Sequence, residues 1–440
     1  MQNPKQSPCE MSARALAAAI EAGDLTSEAV TAAHLERIQE REPEVQAWAH
    51  LAPEQALAEA EARDKGPRRG PLHGVPFGVK DIIDSHDLPT EHGSPIHKGR
   101  QPTADAACVA YARHNGGVLL GKTVTTEFAH VHPGKSRNPH NAAHTPGGSS
   151  SGSAAAVGAG MVPWAFGTQT AGSVIRPAAY CGVVGYKPSW GEFNTEGVRG
   201  NVRSFDTVGV MARAVEDLAL IRSAATTEPF TQIAAPSLGD LKIGLCRTPY
   251  WDQACPATQG FIEHAASALA RAGASVADFA LPNGFAGFEH AIRNVAGYEF
   301  AGAMAWERLN RREQLSSALL NGRVNDGLSV SLEQYRASMA GLGIYRAQVG
   351  IASRQLDILL CPSAPGEAPE GLETTGAATF NGLWTSLHLP CVTLPLFTGP
   401  KGLPIGLQLV GHYGQDLRLI AAAAAIHGHF SLVSAVDCSS

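Results

Sequence analysis

The chain has 440 residues, of which 44% are hydrophobic and 17% are charged, and its formal net charge at pH 7 is −6. This apolar fraction is large enough for a substantial core and excludes a disordered or fibrous chain. The charges contain no basic block, so we expect no nucleic-acid partner. No uninterrupted apolar run reaches the length of a membrane span, so we expect no membrane insertion.

Eight cysteines are scattered along the chain without a Cys-x-x-Cys pair or another zinc-ligand spacing. Several lie in apolar runs, as Cys246 and Cys361 do, where a thiol behaves as a small buried hydrophobic group. Residues 1–12 contain no apolar signal core. We therefore expect a cytoplasmic protein without disulfides.

The N-terminal part of the chain, about residues 1–70, is predicted to be helical. Apolar residues recur at helical spacing in residues 12–22 and 27–41. Residues 53–66 begin with a proline at the first helical position and end with a glycine, which are typical helix boundaries.

After this part, short buried strands alternate with helices. A strand leads into Lys80, a helix is predicted over residues 105–115, and GVLLG (117–121) has the pattern of a buried strand. This alternation predicts an α/β fold whose sheet is buried on both faces.

The second half of the chain starts with a candidate linker at residues 225–240, which lack periodicity and are rich in turn residues. A strand (KIGLC, 242–246) and a helix (257–272) are predicted to follow it. The region of about 274–345 is more helical, and we interpret it as a cap or an insertion.

Three segments carry the candidate chemistry: GVPFGVKDIID (74–84), PGGSSSGSAAAVGAG (146–160) and GTQTAGSVIRPAAYCG (167–182). Glycine lets a backbone turn sharply and approach a substrate closely. A serine hydroxyl becomes a nucleophile only when a base takes its proton, and a lysine with a lowered pKa can be that base. These segments therefore predict a serine hydrolase with a lysine base. A Ser-His-Asp hydrolase ranks behind it, because no Gly-x-Ser-x-Gly elbow is present.

The lysine in the first of these segments, Lys80, must be neutral to act as a base. Its sequence neighbours Phe77, Val79 and Ile82 are apolar, and burial among them is expected to favour the neutral amine.

Two other patterns are interpreted as structural. GGVLLGKT (116–123) fits a phosphate-loop pattern, but its loop positions are apolar residues that favour a strand. A histidine group has no carboxylate or cysteine at ligand spacing, so we expect no metal there. Its members are His130, His132, His140 and His144.

The three segments resemble those of the amidase signature family, hydrolases of amides and related acyl groups. The resemblance starts near residue 26 and covers most of the chain. It includes GKTVTTEFA (121–129), FDTVGVMAR (205–213), FNGLWTSLHLPCVTLPL (380–396) and GLPIGLQLVG (402–411). It implies the family's fold, a large mixed central β-sheet covered by helices on both sides, and a single domain over residues 1–440.

The resemblance also implies the catalytic roles. Ser173 matches the nucleophile, Ser149 matches a bridging serine that follows a cis peptide bond, and Lys80 matches the base. The proton would pass from Ser173 through Ser149 to Lys80 and return to the leaving nitrogen. The oxyanion hole would consist of backbone N–H groups. These belong to Thr170, Ala171, Gly172 and Ser173.

The third segment departs from the commoner family wording, GTDxGGS, at Gln169 and Ala171. It is most similar to that of malonamidases, in which the matching arginine binds the substrate's carboxylate. With a neutral Gln169 beside it, Arg176 is expected either to bind such a carboxylate or to form a structural salt bridge. The predicted substrate contacts are Arg176, Gln169, Arg199 and Arg203.

We expect a cofactor-independent amidohydrolase that forms an acyl-enzyme with a small-molecule amide or carbamate (urethane) substrate; esters stay open. Residues 190–205 and 290–345 are expected to shape its pocket. The alternative is an amidotransferase-type subunit that supplies ammonia to a partner protein acting on charged tRNA. The intact Lys80, Ser149 and Ser173 argue against an inactive scaffold. The oligomeric state stays open, with a homodimer as one option.

Overall fold

The computed structural model describes residues 7–437, with side chains up to residue 432. The expectations about Cys438 and about the first six residues lie outside the described part of the chain.

The centre of the protein is one mixed sheet of eleven strands, in the order β1-β3-β2-β4-β6-β5-β10-β11-β9-β7-β8. Strands β2, β3 and β4 run parallel to one another, and β4 pairs with β6 in the antiparallel sense. The strands are β1 (Trp48–Leu51), β2 (Pro76–Lys80), β3 (Val118–Thr123), β4 (Trp164–Gln169), β5 (Val184–Lys187), β6 (Thr207–Ala212), β7 (Lys242–Leu245), β8 (Ser275–Asp278), β9 (Ile358–Pro362), β10 (Cys391–Thr398) and β11 (Pro404–Val410).

Helices cover both faces of this sheet. They are α1 (Ala13–Ala22), α2 (Ser27–Val45), α3 (Pro53–Lys65), α4 (Ala107–His114), α5 (Ser151–Gly158), α6 (Ile175–Tyr180), α7 (Glu216–Ala225), α8 (Pro256–Arg271), α9 (Phe285–Ala303), α10 (Ala305–Asn310), α11 (Ser317–Leu319), α12 (Asn325–Leu328), α13 (Leu332–Ser353), α14 (Gly382–Ser386) and α15 (Asp416–Asp437). The predicted α/β class with a large mixed sheet is confirmed.

The predicted elements agree with the observed ones within a few residues. The helices expected in the N-terminal part are α1, α2 and α3, and the helix expected over residues 105–115 is α4. The segment GGVLLGKT runs into β3, so its lysine and threonine are strand residues. The candidate linker carries no helix or strand between α7 and Leu238, and strands from both sides of it join one sheet.

Side chains alternate between the two faces of each central strand, as the strand period of two requires. On β4, Trp164 and Phe166 belong to one hydrophobic cluster and Ala165 to another. Phe77 of β2 stacks on Trp164, with ring centroids 4.9 Å apart. Lys80 follows the opposite parity, so it projects to the face that carries α5.

This alternation corrects the predicted surroundings of Lys80. Phe77, Val79 and Ile82 all belong to the cluster on the far face of β2. The apolar neighbours in sequence therefore do not enclose the amine, although it is fully buried. The opposite face of the sheet provides its burial.

The expected helical region begins with β8, an edge strand, and its helices run from Phe285 to Ser353. These helices enclose a separate hydrophobic cluster that includes Phe288, Phe300 and Tyr345. Helix α12 meets α9 closely at glycines: a Cβ on Gly327 would lie 1.9 Å from the carbonyl oxygen of Gly297. Only glycine fits at this contact.

We expect Gly327→Ala to destabilise the protein by about 1–3 kcal/mol, because its methyl group would overlap the α9 backbone. Urea unfolding followed by tryptophan fluorescence measures the change. The control is Gly343→Ala on the exposed side of α13, where no atom lies within 4 Å of the added Cβ. That substitution should raise helix stability by about 0.5–1 kcal/mol. Equal stabilities of the two variants would contradict the predicted overlap.

Candidate active site

The candidate catalytic segments meet at one edge of the sheet. Lys80 is the last residue of β2, and Gln169 is the last residue of its parallel neighbour β4. Because parallel strands end at the same edge, the residues that follow them lie together. The serine-rich segment joins them there through helix α5.

Lys80 lies at the centre of this edge with no exposed surface. Its Nζ donates hydrogen bonds to Ser149 Oγ over 2.7 Å and to Thr168 Oγ1 over 2.8 Å. Burial lowers the pKa of Lys80 well below its ordinary value, and the nearby Asp206 carboxylate opposes that shift. A neutral amine with a lone pair beside a serine hydroxyl can accept that serine's proton.

The serine-rich segment forms a tightly fastened turn and helix. The peptide bond between Gly148 and Ser149 is cis, as the resemblance implies. Ser150 Oγ donates to the carbonyl of Thr168 and accepts from its N–H, both over 3.2 Å. Ser153 Oγ donates to the carbonyl of Phe166 over 2.9 Å. These bonds tie α5 to β4, so the segment is not a flexible linker.

The turn after β4 presents a row of unused donors. Within the described residues, no hydrogen bond is donated by the backbone N–H groups of Thr170, Ala171, Gly172 and Ser173. Consecutive N–H groups left free in a tight turn form an anion-binding nest. A nest of this kind can stabilise the oxyanion of a tetrahedral intermediate.

Gln169 holds this turn in shape. Its Oε1 accepts from the N–H groups of Val174 and Ile175 over 2.8 and 3.0 Å. Its Nε2 donates to Thr385 Oγ1 over 2.9 Å, and that hydroxyl donates to the carbonyl of Ala171 over 2.7 Å. Gln169 is fully buried. Its prediction as a substrate contact is therefore wrong, because the whole amide is used within the fold.

Ser173 stands at the end of the nest. Its residue is partly exposed, and its hydroxyl forms no hydrogen bond within residues 7–432. The structure therefore places this hydroxyl where it can meet a substrate, without a preformed bond to Ser149. Hydrogen bonds of catalytic groups often tighten only when the substrate binds.

Three residues that support the site were not singled out from the sequence: Thr168, Asp206 and Thr385. Asp206 accepts from Thr170 Oγ1 at the start of the nest, and from the N–H groups of Asn201 and Val202 over 2.6 and 2.9 Å. Burial raises the pKa of Asp206, and these donors oppose the shift. Asp206 lies within FDTVGVMAR, but only the fold brings that segment to the turn.

Arg176 does not form the predicted salt bridge. Its guanidinium donates to the carbonyls of Gly376 and Gly148 over 2.8 and 2.6 Å, and to Thr375 Oγ1 over 3.2 Å. No carboxylate pairs with it within the described part of the chain. Burial lowers the pKa of Arg176 to about 10. The arginine thus fixes the carbonyl just before Ser149 rather than lying free for a ligand.

A cavity of about 980 Å³ opens beside the turn and is lined by residues 190–203, as expected for that loop, and by Thr168 and Thr170. Arg199 pairs with Glu307 over 2.9 Å and lies over the ring of Phe128 at 4.6 Å. Its guanidinium is thereby committed to joining the loop to α10, so the structure does not support it as a substrate contact.

Arg203 lines the same cavity as an exposed side chain. It forms no ion pair with any described residue. Its predicted contact with a substrate stays a prediction.

One group of side chains in the described residues has a spacing compatible with a metal ion: His86, Asp87 and Asp105, whose ligand atoms lie within 4.8 Å of one another. Arg113 pairs with both carboxylates, at 2.5 Å from Asp87 and 3.5 Å from Asp105. The arginine already supplies the positive charge that a cation would bring.

The sequence model of the Amidase family matches residues 29–420. The chain belongs to this family. It is 30% identical over 463 residues to the GatA-type chain of the glutamyl-tRNA(Gln) amidotransferase of Chloroflexus aggregans, an alignment of 92% of this chain and 94% of that protein. The corresponding protein of Thermus thermophilus is 32% identical over 461 residues, covering 94% of this chain and 96% of that protein.

The fold agrees with solved amidase structures. The crystal structure of an amidase has a TM-score of 0.87 at 28% identity and covers 95% of this chain and 99% of its own. The peptide amidase from Stenotrophomonas maltophilia has a TM-score of 0.80 at 29% identity, covering 96% of this chain and 97% of its own. The predicted family and its fold are confirmed. Among the described helices, none is both long and apolar enough to cross a membrane.

We expect Gly172→Ala to lower kcat of amide turnover about 10²–10³-fold, the usual effect of losing one oxyanion donor. A Cβ at Gly172 would lie 2.5 Å from Asn381 Oδ1, so the nest must shift. The control is Gly382→Ala, whose added Cβ would meet Ala171 Cβ at an ordinary 3.7 Å. Steady-state kinetics on both variants, with circular dichroism to check folding, tests the nest. Equal activity of the two would count against it.

Proposed function

We propose that the protein is a serine amidohydrolase that cleaves C–N bonds of small amides through an acyl-enzyme, with Ser173 as nucleophile, Ser149 as proton relay and Lys80 as base. The observation that carries this proposal is the buried Lys80 amine, 2.7 Å from Ser149 Oγ, at the edge of a turn whose N–H groups are free.

The first half-reaction follows from this arrangement. Ser173 Oγ attacks the amide carbonyl carbon while its proton passes to Ser149, whose own proton passes to Lys80 Nζ. The carbonyl oxygen becomes an oxyanion and accepts hydrogen bonds from the N–H groups of residues 170–173. When the intermediate collapses, the C–N bond breaks and the proton returns through Ser149 to the leaving nitrogen. The acyl group is left as an ester on Ser173.

Water completes the cycle by the same route. It attacks the ester carbonyl while Ser149 and Lys80 take its proton, and the carboxylic acid leaves as Ser173 regains its hydrogen. Lys80 is cationic between the two transfers. Thr168 Oγ1 accepts from it over 2.8 Å, and the Asp206 carboxylate favours its charged form. These two groups therefore stabilise the intermediate charge that burial disfavours. Carbamates and esters can undergo the same acyl transfer.

The second candidate is an amidotransferase-type subunit that releases ammonia from an amide donor for a partner protein. It is favoured by the 30–32% identity to glutamyl-tRNA(Gln) amidotransferase chains over nearly the whole sequence. The proposed amide cleavage is common to both candidates. They differ in whether the isolated chain turns over simple amides efficiently or needs a second protein.

We expect Lys80→Ala, Ser149→Ala and Ser173→Ala each to lower kcat on the order of 10⁴- to 10⁶-fold, and the triple variant to lose little more, because the residues act as one unit. The assay panel is malonamate, aliphatic amides, anilides, aryl carbamates and glutamine. Ser151→Ala, outside the relay, is the matched control. Additive losses would contradict the relay, and wild-type turnover of glutamine alone, weak and raised by a partner, would favour the amidotransferase role.

The lowered pKa of Lys80 predicts the pH dependence. The base must be neutral, so kcat/KM should rise with pH through the lowered pKa and level off well below the ordinary lysine range. Stability has the same sign. Between the two pKa values the unfolded chain binds a proton that the folded chain does not, so unfolding free energy rises with pH. Lys80→Met should remove this part of the pH dependence, as urea titrations at several pH values would show.

A further inference from the structure

Arg323 is a guanidinium near the candidate active site that the proposed mechanism does not use. It lies in a π-helical turn, Leu320–Val324, between α11 and α12. Such turns inside helices are frequent at functional sites. Within residues 7–432, its guanidinium forms no hydrogen bond and no ion pair. An arginine that is only partly exposed and lacks a carboxylate needs an explanation.

The side chain of Arg323 is directed towards the edge of the sheet where Ser173 lies. Its guanidinium carbon lies 6.0 Å from the centre of the Phe300 ring, and the His130 ring lies 4.8 Å from that same ring. The Asp206 carboxylate is close enough to act on the charge of Arg323. Because Asp206 is bonded to Thr170, Arg323 faces the region of the nest.

Two further polar atoms in this region have no partner. Both His130 Nδ1 and Asn201 Oδ1 are buried without a hydrogen bond. Asn201 is 4% exposed and lines the cavity beside the nest, with its amide nitrogen bonded to the carbonyl of Phe128 over 2.6 Å. Buried polar groups are rarely left unpaired in proteins. A ligand with hydrogen-bonding groups in this region would satisfy them.

The other arginines near the site are less suited to bind a ligand. Arg176 is spent on the carbonyls of Gly148 and Gly376, and Arg199 is paired with Glu307. Arg203 is exposed at the wall of the cavity, where water competes for its charge. Arg323 combines a free guanidinium with a low-dielectric setting.

Resting on the proposed amide hydrolysis, we propose that Arg323 binds a carboxylate of the substrate, so that the enzyme acts on amides that carry a free acid group. A planar guanidinium binds a carboxylate through two parallel hydrogen bonds, which fixes both position and orientation. The reaction is then the conversion of an amide of a dicarboxylic acid, with water, into the dicarboxylate and ammonia or an amine. The cap helices thus supply the specificity, and the sheet edge supplies the chemistry.

The test compares acid and neutral amides on one series of variants. The probes are malonamate, succinamate and glutaramate, each beside the neutral butyramide. Arg323→Gln should lower kcat/KM for the best acid amide about 10- to 100-fold, the size expected for charged hydrogen bonds. Butyramide turnover should stay within about 2-fold, and Arg323→Lys should restore part of the loss. Arg203→Gln is the matched control and should leave the ratio unchanged.

Equal losses on both substrate types, or a loss of acid preference in Arg203→Gln instead, would overturn the assignment. Circular dichroism and thermal melting check that each variant folds. A binding measurement separates this inference from the mechanism: calorimetry of succinamate on Ser173→Ala, with and without Arg323→Gln. Wild-type protein without turnover of any amide would defeat the proposed function, whereas the anion site would still stand if Arg323→Gln abolished binding. Binding of succinamate unaffected by Arg323→Gln would defeat the anion site.

Discussion

The burial of Lys80 is the constraint on which the rest of the site depends. An ammonium group without exposed surface is costly, so its pKa falls and the neutral amine becomes available as a base. The same burial requires that its hydrogen bonds be made inside the protein, and Ser149 and Thr168 satisfy them. Ser149 is in turn fixed by the fastening of α5 to β4. A looser sheet edge would admit water, and the lysine would become an ordinary cation.

The turn that follows β4 is the complementary element. Its free N–H groups would collapse onto nearby carbonyls if nothing held the turn open. Gln169 prevents this because its amide occupies the N–H groups of Val174 and Ile175 on one side and Thr385 on the other. Asp206 performs a similar function through Thr170. Neutral and charged side chains thus share the task of shaping a cradle for a developing negative charge.

Residues that surround the chemistry fall into two groups with different consequences. Arg176 and Arg199 have guanidinium groups committed to the fold, one to the carbonyl of Gly148 and the other to Glu307. Arg323 has no such commitment, and it belongs to the cap helices rather than to the sheet. In this arrangement the sheet edge is devoted to acyl transfer, while the helices between Phe285 and Ser353 are free to differ in what they recognise.

The sequence by itself determined the α/β class, the positions of most helices, the family, and the three segments that hold Lys80, Ser149 and Ser173. These features depend on periodicity, on helix boundaries and on local motifs, which a chain carries whatever its folding partners. Only the tertiary structure decided what surrounds Lys80, because strand alternation turned Phe77 and Val79 to the far face. It also decided that Gln169 and Arg176 are structural. Their partners, Thr385, Thr375 and Gly376, are far away in sequence and reach them only when β4, α6 and the C-terminal segment pack together. A side chain's available hydrogen bonds are a property of its type, but the atoms that use them are a property of the fold.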